Sequence, residues 1–272
     1  MTFVDQQLSY KIERTEAALN IAFVESRARL FPVSAAAWIE SGGAFAMFDG
    51  VQSPLTQTFG LGMTQPVAAE AMELFERFFE RHGAPALHEI SPLAHESTAG
   101  LLSDRGYRPL EYTNVMFLPL ATTKMETDLA PSGIHTRALA TSEECDRWAE
   151  TSATAWSTEM PEYRGFLLEL GTIAAHTNNT IIRFIAEMDG VPAGTALLGI
   201  HEEVAFFGGA STLPEFRRRG VQHALLEARI AFSREKKCSI AAMGARPGSQ
   251  SQKNAERRLF RVAYTRTKFG KI

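Results

Sequence analysis

The stretch PEFRRRGVQHALLEARIAF, residues 214–232, places three arginines and a glycine directly before an apolar helical pattern. The preceding residues, EVAFFGGAST at 203–212, predict a β-strand that ends at Thr212 and Leu213. After the glycine, apolar side chains recur at helical spacing and predict a helix from about residue 219 to residue 235. One face of this helix is expected to pack on a sheet: Val221, Ala224, Leu225, Ala228 and Phe232.

The turn between this strand and this helix has the properties of an anion-binding site. The first amides of a helix have no intrahelical acceptor and point along an axis whose dipole adds positive charge, so they bind phosphate groups. Gly220 permits close approach of the backbone, and Arg217, Arg218 and Arg219 add guanidinium groups that match phosphate geometry. Cations at a helix N-terminus oppose the dipole, a conflict that a bound anion would resolve. A basic run beside a helix is also typical of a solvated surface, and that alternative stays open for the turn taken by itself.

The composition is that of a globular protein with no global affinity for polyanions. The chain has 272 residues, of which 45% are apolar, and a formal net charge of −3. This balance predicts neither a nucleic-acid partner nor binding to an acidic membrane surface. The two cysteines, Cys145 and Cys238, form neither a disulfide framework nor a metal-ligand pair, so no metal is expected. Because no signal-like N-terminus and no apolar run of membrane-spanning length is found, we expect a cytoplasmic protein that does not enter a membrane.

The order of predicted elements repeats along the chain. Residues 134–272 predict the order β-α-α-β-β-β-α-β-α-β, with a tight hairpin at Asp189-Gly190. Residues 1–120 predict a shorter series, α-β-β-α-β-α-β, and the polar segment 121–133, which lacks periodicity, predicts a linker between the two halves. In the first half Thr64 is predicted to cap a helix whose first turn holds Pro66. The chain is therefore expected to contain two copies of one α/β (α+β) fold, the first of them degraded.

The basic turn resembles a known signature. The residues STLPEFRRRGVQHALLEA are similar to the pyrophosphate-binding motif of the GCN5-related N-acetyltransferase (GNAT) superfamily, which reads Gln/Arg-x-x-Gly-x-Gly/Ala. Arg217 takes the first position, Gly220 the fourth and Gln222 the sixth, where the superfamily has a small residue. The resemblance covers 134–272 by element order and 204–232 as a motif. It implies two GNAT-like domains, each a mixed, mostly antiparallel sheet flanked by helices.

The resemblance also implies how acetyl-CoA is held as a co-substrate. The backbone of Ser211, Thr212 and Leu213 would contact pantetheine, and the acetyl thioester would lie near Gly208-Gly209-Ala210, where a strand bulge is the structural alternative. In the helix within GSQSQKNAERRLF, Ser249 is expected to be the cap, while Ser251 and Asn254 are expected to reach the cofactor. The pyrophosphate would be held by the turn and the first helical residues, which are Arg217, Arg218, Arg219, Gly220, Val221, Gln222 and His223.

The usual catalytic side chains of the superfamily are missing. Its tyrosine acid corresponds to Ala255 here, and its strand carboxylate falls on the apolar run Val204-Ala205-Phe206-Phe207. Glu202, Glu203 and Tyr264 are the remaining candidates for a catalytic base or acid. Each also has a structural interpretation, as a charge at the end of a hairpin or as a packed aromatic.

These observations predict an acetyl-CoA-dependent N-acetyltransferase that acts on a primary amine of a small molecule or a protein. The missing tyrosine and carboxylate support an alternative, a non-catalytic acyl-CoA sensor or regulatory module. A nucleotide-binding protein of another fold is disfavoured, since neither a Walker motif nor a Gly-x-Gly-x-x-Gly turn is found. The first half has no arginine-glycine turn and is not expected to bind acetyl-CoA. It is expected either to shape the acceptor pocket or to mediate a homodimer, in a tandem arrangement similar to mycothiol synthase-type acetyltransferases.

Overall fold

A computed structural model describes residues 4–121, 133–158, 161–177 and 180–271. The chain folds into two compact units. Unit 1 consists of Met1–Phe117 together with Gly244–Ile272, and unit 2 is Leu118–Met243. The predicted linker 121–133 lies outside the described residues, except for its first and last positions.

Unit 1 is a mixed, mostly antiparallel sheet flanked by helices. Its elements are α1 (Gln6–Leu30), β1 (Ala37–Ser41), β2 (Ala44–Phe48), β3 (Gln57–Phe59), α2 (Ala69–Arg81), β4 (His88–Ile90), α3 (Ser97–Asp104), β5 (Arg108–Pro119), α7 (Gln250–Glu256) and β11 (Arg261–Gly270). The strands follow the order β1-β2-β3-β4-β11-β5. Within the described part of this unit β3 pairs parallel with β4, to which it is joined through α2, and the other neighbouring strands pair antiparallel.

The core of unit 1 lies on both faces of this sheet, because side chains alternate along each strand. On β2, Ala44, Ala46 and Phe48 pack with buried residues of α2 and α3. The intervening Phe45 and Met47 pack with α1 on the other face. Strand β2 is therefore apolar throughout, which is typical of a strand buried on both faces.

The start of α2 differs from the sequence prediction. The helix begins at Ala69 and has Ala68 as its N-cap, without a capping side chain. Thr64, the predicted cap, instead donates its hydroxyl hydrogen bond to Gly42 O at 2.9 Å. Because a residue that precedes proline is driven out of the helical region, the helix forms after Pro66 and not at Thr64.

The last strand lies in the unit that also contains the N-terminus. Strand β11 pairs antiparallel with both β4 and β5. Its Arg266, only 3% exposed, forms ion pairs with Glu13 of α1 at 3.1 Å and with Glu89 of β4 at 2.9 Å. The pairing of β11 and its buried charges thus place β11 in the compact unit of residues 1–117, while the division into 1–120, 121–133 and 134–272 stays a prediction.

Unit 2 repeats the same plan. Its elements are β6 (Ile134–Ala138), α4 (Glu144–Ser157), α5 (Arg164–His176), β7 (Ile181–Met188), β8 (Val191–His201), β9 (Val204–Thr212), α6 (Val221–Glu235) and β10 (Ile240–Ala245). The strand order is β10-β9-β8-β7-β6. Among the residues that the structure describes, β9 pairs parallel with β10, to which it is joined through α6, and the other neighbouring strands pair antiparallel. Helices α4 and α6 both pack on β8 and β9.

The hairpin predicted at Asp189-Gly190 is confirmed. Both residues have positive φ, 53° and 78°, as a two-residue turn between β7 and β8 requires. Each unit thus combines antiparallel strands with one parallel strand-helix-strand crossover, which confirms the predicted α/β class with mixed, mostly antiparallel sheets. Among the described residues no helix combines the length and apolar character needed to cross a membrane.

Candidate functional site

The basic turn connects the end of β9 to the start of α6. A short 3-10 helix, Pro214–Phe216, follows the strand, and α6 begins at Val221. Within the turn Arg218 has φ 62° and Gly220 has φ 92°. The left-handed conformation costs little at glycine but is uncommon for arginine. The turn therefore folds the chain tightly enough to bring the guanidinium groups to the helix N-terminus.

The backbone donors at this N-terminus are oriented as an anion site requires. The first bond within α6 is donated by Ala224 N to Gly220 O at 3.0 Å. By helix geometry the amides that precede it, at residues 221–223, point out of the N-terminus. Gly220 is the N-cap and supplies no side-chain cap. Because α6 is anchored on the sheet by Val221, Ala224 and Leu225, which are all buried, the direction of these amides is fixed.

The three arginines surround this N-terminus and are all exposed. Arg217 Nε lies 3.5 Å from Thr212 O, and the Arg219 guanidinium lies 5.6 Å from the centre of the Phe216 ring. The positive charge of the side chains and of the helix dipole therefore faces solvent at one place.

Gln222, which departs from the superfamily motif, ties the helix to the strand. Its Nε2 donates a hydrogen bond to Thr212 Oγ1 at 2.7 Å. A small residue at this position would leave the end of β9 and the first turn of α6 without this connection. Gln222 thus replaces close packing by a side-chain hydrogen bond, while the backbone amide that the motif uses is retained.

At the end of β9, one edge of the strand is hydrogen-bonded to β8 and the opposite edge faces away from β8. Leu213 N donates to Ala193 O at 3.0 Å, and Ser211 Oγ and Thr195 Oγ1 are 2.7 Å apart. Backbone groups alternate in direction along a strand, so those of Thr212 point away from β8. Of the three strand residues predicted to contact a cofactor, Thr212 is the one whose backbone is oriented for it.

The other edge of β9 extends beyond its partner. Among the described residues, the parallel pairing of β9 with β10 runs from Val204–Ile240 to Phe207–Met243. Strand β9 continues to Thr212. An unpaired strand edge presents N–H and C=O groups to an extended ligand. The segment 208–212 is therefore an edge along which such a ligand can lie.

A bulge interrupts β9 within this segment. The register with β8 shifts between Leu197–Gly208 and Thr195–Ser211, so Gly209 and Ala210 lie opposite the single residue Ala196. Gly209 is exposed and has φ 55°. A Cβ at Gly209 would come within 2.9 Å of the Leu197 side chain. The structural alternative for these glycines, a strand bulge, is confirmed, and it re-aims the peptide groups that follow Gly208.

Arg229 is a buried residue of this region that the sequence patterns missed. It belongs to α6 and is 4% exposed, and its Nη1 donates to Leu197 O at 3.2 Å. Burial lowers the pKa of Arg229 to about 9. The spacing of four residues from Val221 to Leu225 to Arg229 places it on the packed face, and this spacing was the available signal.

The two residues predicted on α7 belong to unit 1. Ser249, the predicted cap, accepts a hydrogen bond from Gln252 N at 3.2 Å, which confirms that interpretation. Ser251 is exposed, and Asn254 Oδ1 accepts from Gln250 Nε2 at 2.7 Å. Cofactor contact by Ser251 and Asn254 stays a prediction.

The two candidate catalytic residues have different surroundings. Glu203 is exposed at the start of β9, eight peptide units before Ser211, whereas the turn follows its end. Tyr264 is buried in unit 1, and its hydroxyl donates to Glu13 Oε1 at 2.8 Å. Burial raises the pKa of Tyr264 well above its ordinary value, and the nearby Glu13 carboxylate raises it further. Tyr264 therefore has the environment of a structural hydroxyl.

Comparison with known proteins agrees with this geometry. Residues 142–259 match the model of the acetyltransferase (GNAT) family. No protein of curated function matches the sequence. Among solved structures, a GCN5-related N-acetyltransferase from Kribbella flavida has a TM-score of 0.65 at 18% identity, over 92% of this chain and 95% of its own.

Two further structures share the fold at similarly low identity. A tandem GNAT protein from the clavulanic acid biosynthesis pathway has a TM-score of 0.58 at 13% identity, over 92% of this chain and 86% of its own. A GCN5-related N-acetyltransferase from Sphaerobacter thermophilus has a TM-score of 0.54 at 16% identity, over 79% of this chain and 71% of its own. The matched residues 142–259, which include the basic turn, are therefore similar to the acetyltransferase domain of the GNAT family.

Proposed function

We propose that this protein transfers the acetyl group of acetyl-CoA to a primary amine of a small molecule or a protein. The observation that carries the proposal is the turn of Arg217–Gly220, where the outward amides of α6 and three exposed guanidinium groups meet beside the free edge of β9. A diphosphate carries negative charge and many acceptor oxygens, which this donor set fits. The pantetheine arm would lie along residues 208–212 as an additional strand.

The residues proposed to hold the coenzyme fall into three groups. The diphosphate is held by Arg217, Arg218, Arg219, Gly220 and the amides of Val221, Gln222 and His223. Pantetheine meets β9 at Thr212, beside Ser211 and Leu213. Ser251 and Asn254 of α7 are proposed as further polar contacts.

In the reaction, the amine nitrogen forms a bond to the thioester carbonyl carbon and the C–S bond breaks. One amine proton is lost, and coenzyme A leaves as the thiol. No ionisable side chain occurs between Val204 and Phe207, so we propose that the amine loses its proton to water. The chain then contributes chiefly by holding both reactants together and by directing backbone donors at the thioester oxygen.

The element repeats 1–120 and 134–272, joined by 121–133, are proposed as two GNAT-like copies, of which the first is degenerate and does not bind acetyl-CoA. The segment before α2 supports this proposal, because residues 60–69 carry no arginine or lysine and Pro66 has no amide hydrogen to donate to a phosphate. We propose that this copy shapes the acceptor pocket or mediates a homodimer, and that the protein is cytoplasmic.

A second candidate function is a non-catalytic acyl-CoA sensor. Two observations favour it: the strand before the turn carries no carboxylate between Val204 and Phe207, and Ala255, at the place of the usual tyrosine, is 1% exposed. A sensor would bind the coenzyme through the same turn without turnover.

One pair of measurements tests both candidates. Acetyl-CoA and CoA are expected to raise the melting temperature, because a ligand that binds only the folded state stabilises it. Thiol release is then followed with a panel of primary amines and with peptides that contain lysine. Turnover with any amine supports the enzyme, and binding without turnover supports the sensor. The absence of any shift at millimolar CoA contradicts both.

A further inference from the structure

Among the residues that the structure describes, the polar partners of the buried Arg229 are carbonyl oxygens rather than carboxylates. Its Nε donates to Leu225 O at 3.1 Å within α6, and its Nη1 reaches Leu197 O at 3.2 Å and Gly208 O at 3.5 Å. The ring of Phe207 lies 4.8 Å from the guanidinium carbon. Burying a charge without a counter-charge is costly. A guanidinium at this place therefore needs a reason beyond packing, and the carbonyls that it holds indicate one.

The two carbonyls across the sheet belong to the bulge. Leu197 and Gly208 are register partners, and the shift in register begins immediately after them on β9. A bulge disrupts the ladder locally and leaves peptide groups without their regular partners. Arg229 Nη1 donates to both carbonyls, while Nε of the same guanidinium is held by Leu225 O. Because the guanidinium is planar, the Nε contact fixes the direction of Nη1, which the ammonium of a lysine cannot reproduce.

The hydrogen bond from Arg229 to Gly208 O also fixes the direction of the Gly209 N–H, which belongs to the same peptide unit. The peptide unit is planar and trans, so the N–H of Gly209 points opposite to the carbonyl of Gly208. Gly209 is exposed, with φ 55°, whereas Arg229 is buried. The contact between Arg229 and Gly208 O therefore directs the Gly209 N–H away from α6.

We propose that Arg229 is a positioning residue, which orients the Gly209 N–H as the hydrogen-bond donor to the carbonyl oxygen of the acyl thioester. This proposal rests on the proposed function, because it assumes that the acyl group lies at the β9 bulge. Arg229 acts through the Gly208 peptide and does not itself touch the acyl group. A purely structural arginine would stabilise the fold without affecting recognition of that oxygen.

The test is an equilibrium binding experiment that needs no acceptor amine. Two stable thioethers of coenzyme A are compared: 2-oxopropyl-CoA, which keeps a carbonyl oxygen, and propyl-CoA, which lacks it. The ratio of their dissociation constants measures the donor to that oxygen. Arg229→Met removes the guanidinium, and Arg229→Lys keeps the charge but not the fork. Arg183→Met is the matched control, because Arg183 donates to the carbonyls of Ala175, Ile181 and Thr177, which lie on α5, β7 and the segment between them.

The wild-type protein is expected to bind the oxo analogue about fivefold more tightly, as one neutral hydrogen bond allows. Arg229→Met is expected to reduce this ratio to about one, whereas Arg183→Met keeps it even if its melting temperature falls. Arg229→Lys is expected to give an intermediate ratio of about two. If Arg229→Met does not fold, the ratio measured for Arg229→Lys decides the question.

The inference is overturned if the folded Arg229 variants keep the full ratio, or if the wild-type protein does not distinguish the two analogues. Failure of the proposed function has a different signature, since the wild-type protein would then bind neither thioether. The two failures are therefore distinguishable in one set of titrations.

Discussion

Gln222 and Thr212 join the start of α6 to the end of β9 through a hydrogen bond of 2.7 Å from Nε2 to Oγ1. Gln222 occupies the motif position at which the superfamily has a small residue. Because the turn between the two residues holds the proposed diphosphate site, this bond controls how rigidly the donors are presented. A rigid donor array loses less entropy when the anion binds.

A double-mutant cycle measures the worth of this bond. Gln222→Ala and Thr212→Val are each expected to lower the free energy of unfolding by about 1 kcal/mol, and the double variant by little more than either one. Urea denaturation gives these values. Thr212→Ser keeps the hydroxyl and serves as the control. Strictly additive losses would show that the two side chains do not interact.

The arginines of the turn are expected to act with opposite signs on stability and on binding. In the free protein they oppose the dipole of α6, so Arg218→Gln with Arg219→Gln is expected to raise the free energy of unfolding by about 0.5–1 kcal/mol. The same variant is expected to weaken CoA binding about tenfold, because charge-assisted hydrogen bonds to phosphate are lost. Thermal unfolding without CoA measures the change in stability, and the additional stabilisation by CoA measures the change in affinity.

Arg234, in the last turn of α6, provides the matched control. A cation there stabilises the dipole, so Arg234→Gln is expected to lower stability and to leave CoA affinity unchanged. If the turn variant lowered stability and left binding intact, the turn would be an ordinary solvated surface.

The buried charges of β11 are expected to control the stability of unit 1. Arg266 pairs with Glu13 and Glu89, which are 1% and 4% exposed. Removal of one partner leaves buried charges uncompensated, so Arg266→Met is expected to cost about 3–5 kcal/mol in the free energy of unfolding. Arg77→Met, on α2 of the same unit, removes an i,i+4 ion pair with Glu73 in which both side chains are more than half exposed, and is expected to cost less than about 1 kcal/mol. Equal losses would show that the Arg266 cluster is no more important than a surface pair.

Glu144 makes the stability of unit 2 depend on pH. The Arg137 guanidinium, followed by the amide of Ala140, lowers the pKa of Glu144 to about 2 from an ordinary value of 4.5. Because the folded-state value is the lower one, this stabilisation is complete above the unfolded pKa and is lost as the pH falls toward about 2. Glu144→Gln is therefore expected to reduce stability at pH 7 and to approach the wild type in acid. Denaturation curves at several pH values between 3 and 7 test this, and a difference that stays constant with pH would contradict it.

The sequence predicts individual helices, turns and caps because each depends on residues that are close together in the chain. The helical spacing after Gly220, the Asp189-Gly190 turn and the Ser249 cap each act over a few residues. The pairing of β11 with β4 and β5 could not be predicted in this way. Alternating apolar and polar residues define a strand and its two faces, but they do not determine which other strands it pairs with.

The sequence predicts the positive charge of the site, but it does not predict the buried Arg229 beneath it. The arginines and Gly220 are visible as a motif in the sequence. Arg229 was missed because an arginine on a helix is expected to be solvated, and its burial follows only once α6 is packed above the β9 bulge. Thr64 does not cap α2, because Pro66 drives the preceding Gln65 out of the helical conformation and the Thr64 hydroxyl bonds to Gly42 O instead.

Calorimetric titration of the full chain with CoA tests the diphosphate site most directly, in the wild type and in the variants Gly220→Glu and Gly83→Glu. Gly220 and Gly83 both have positive φ, 92° and 63°, so both substitutions strain the backbone and add a carboxylate. Only Gly220 lies at the α6 N-terminus, where a carboxylate repels a diphosphate. We expect the wild type and Gly83→Glu to bind one CoA per chain, and Gly220→Glu to lose at least about 100-fold in affinity, since it loses both the close approach and the favourable charge. Equal affinity of all three proteins for CoA, or no binding by the wild type at millimolar CoA, would contradict the site.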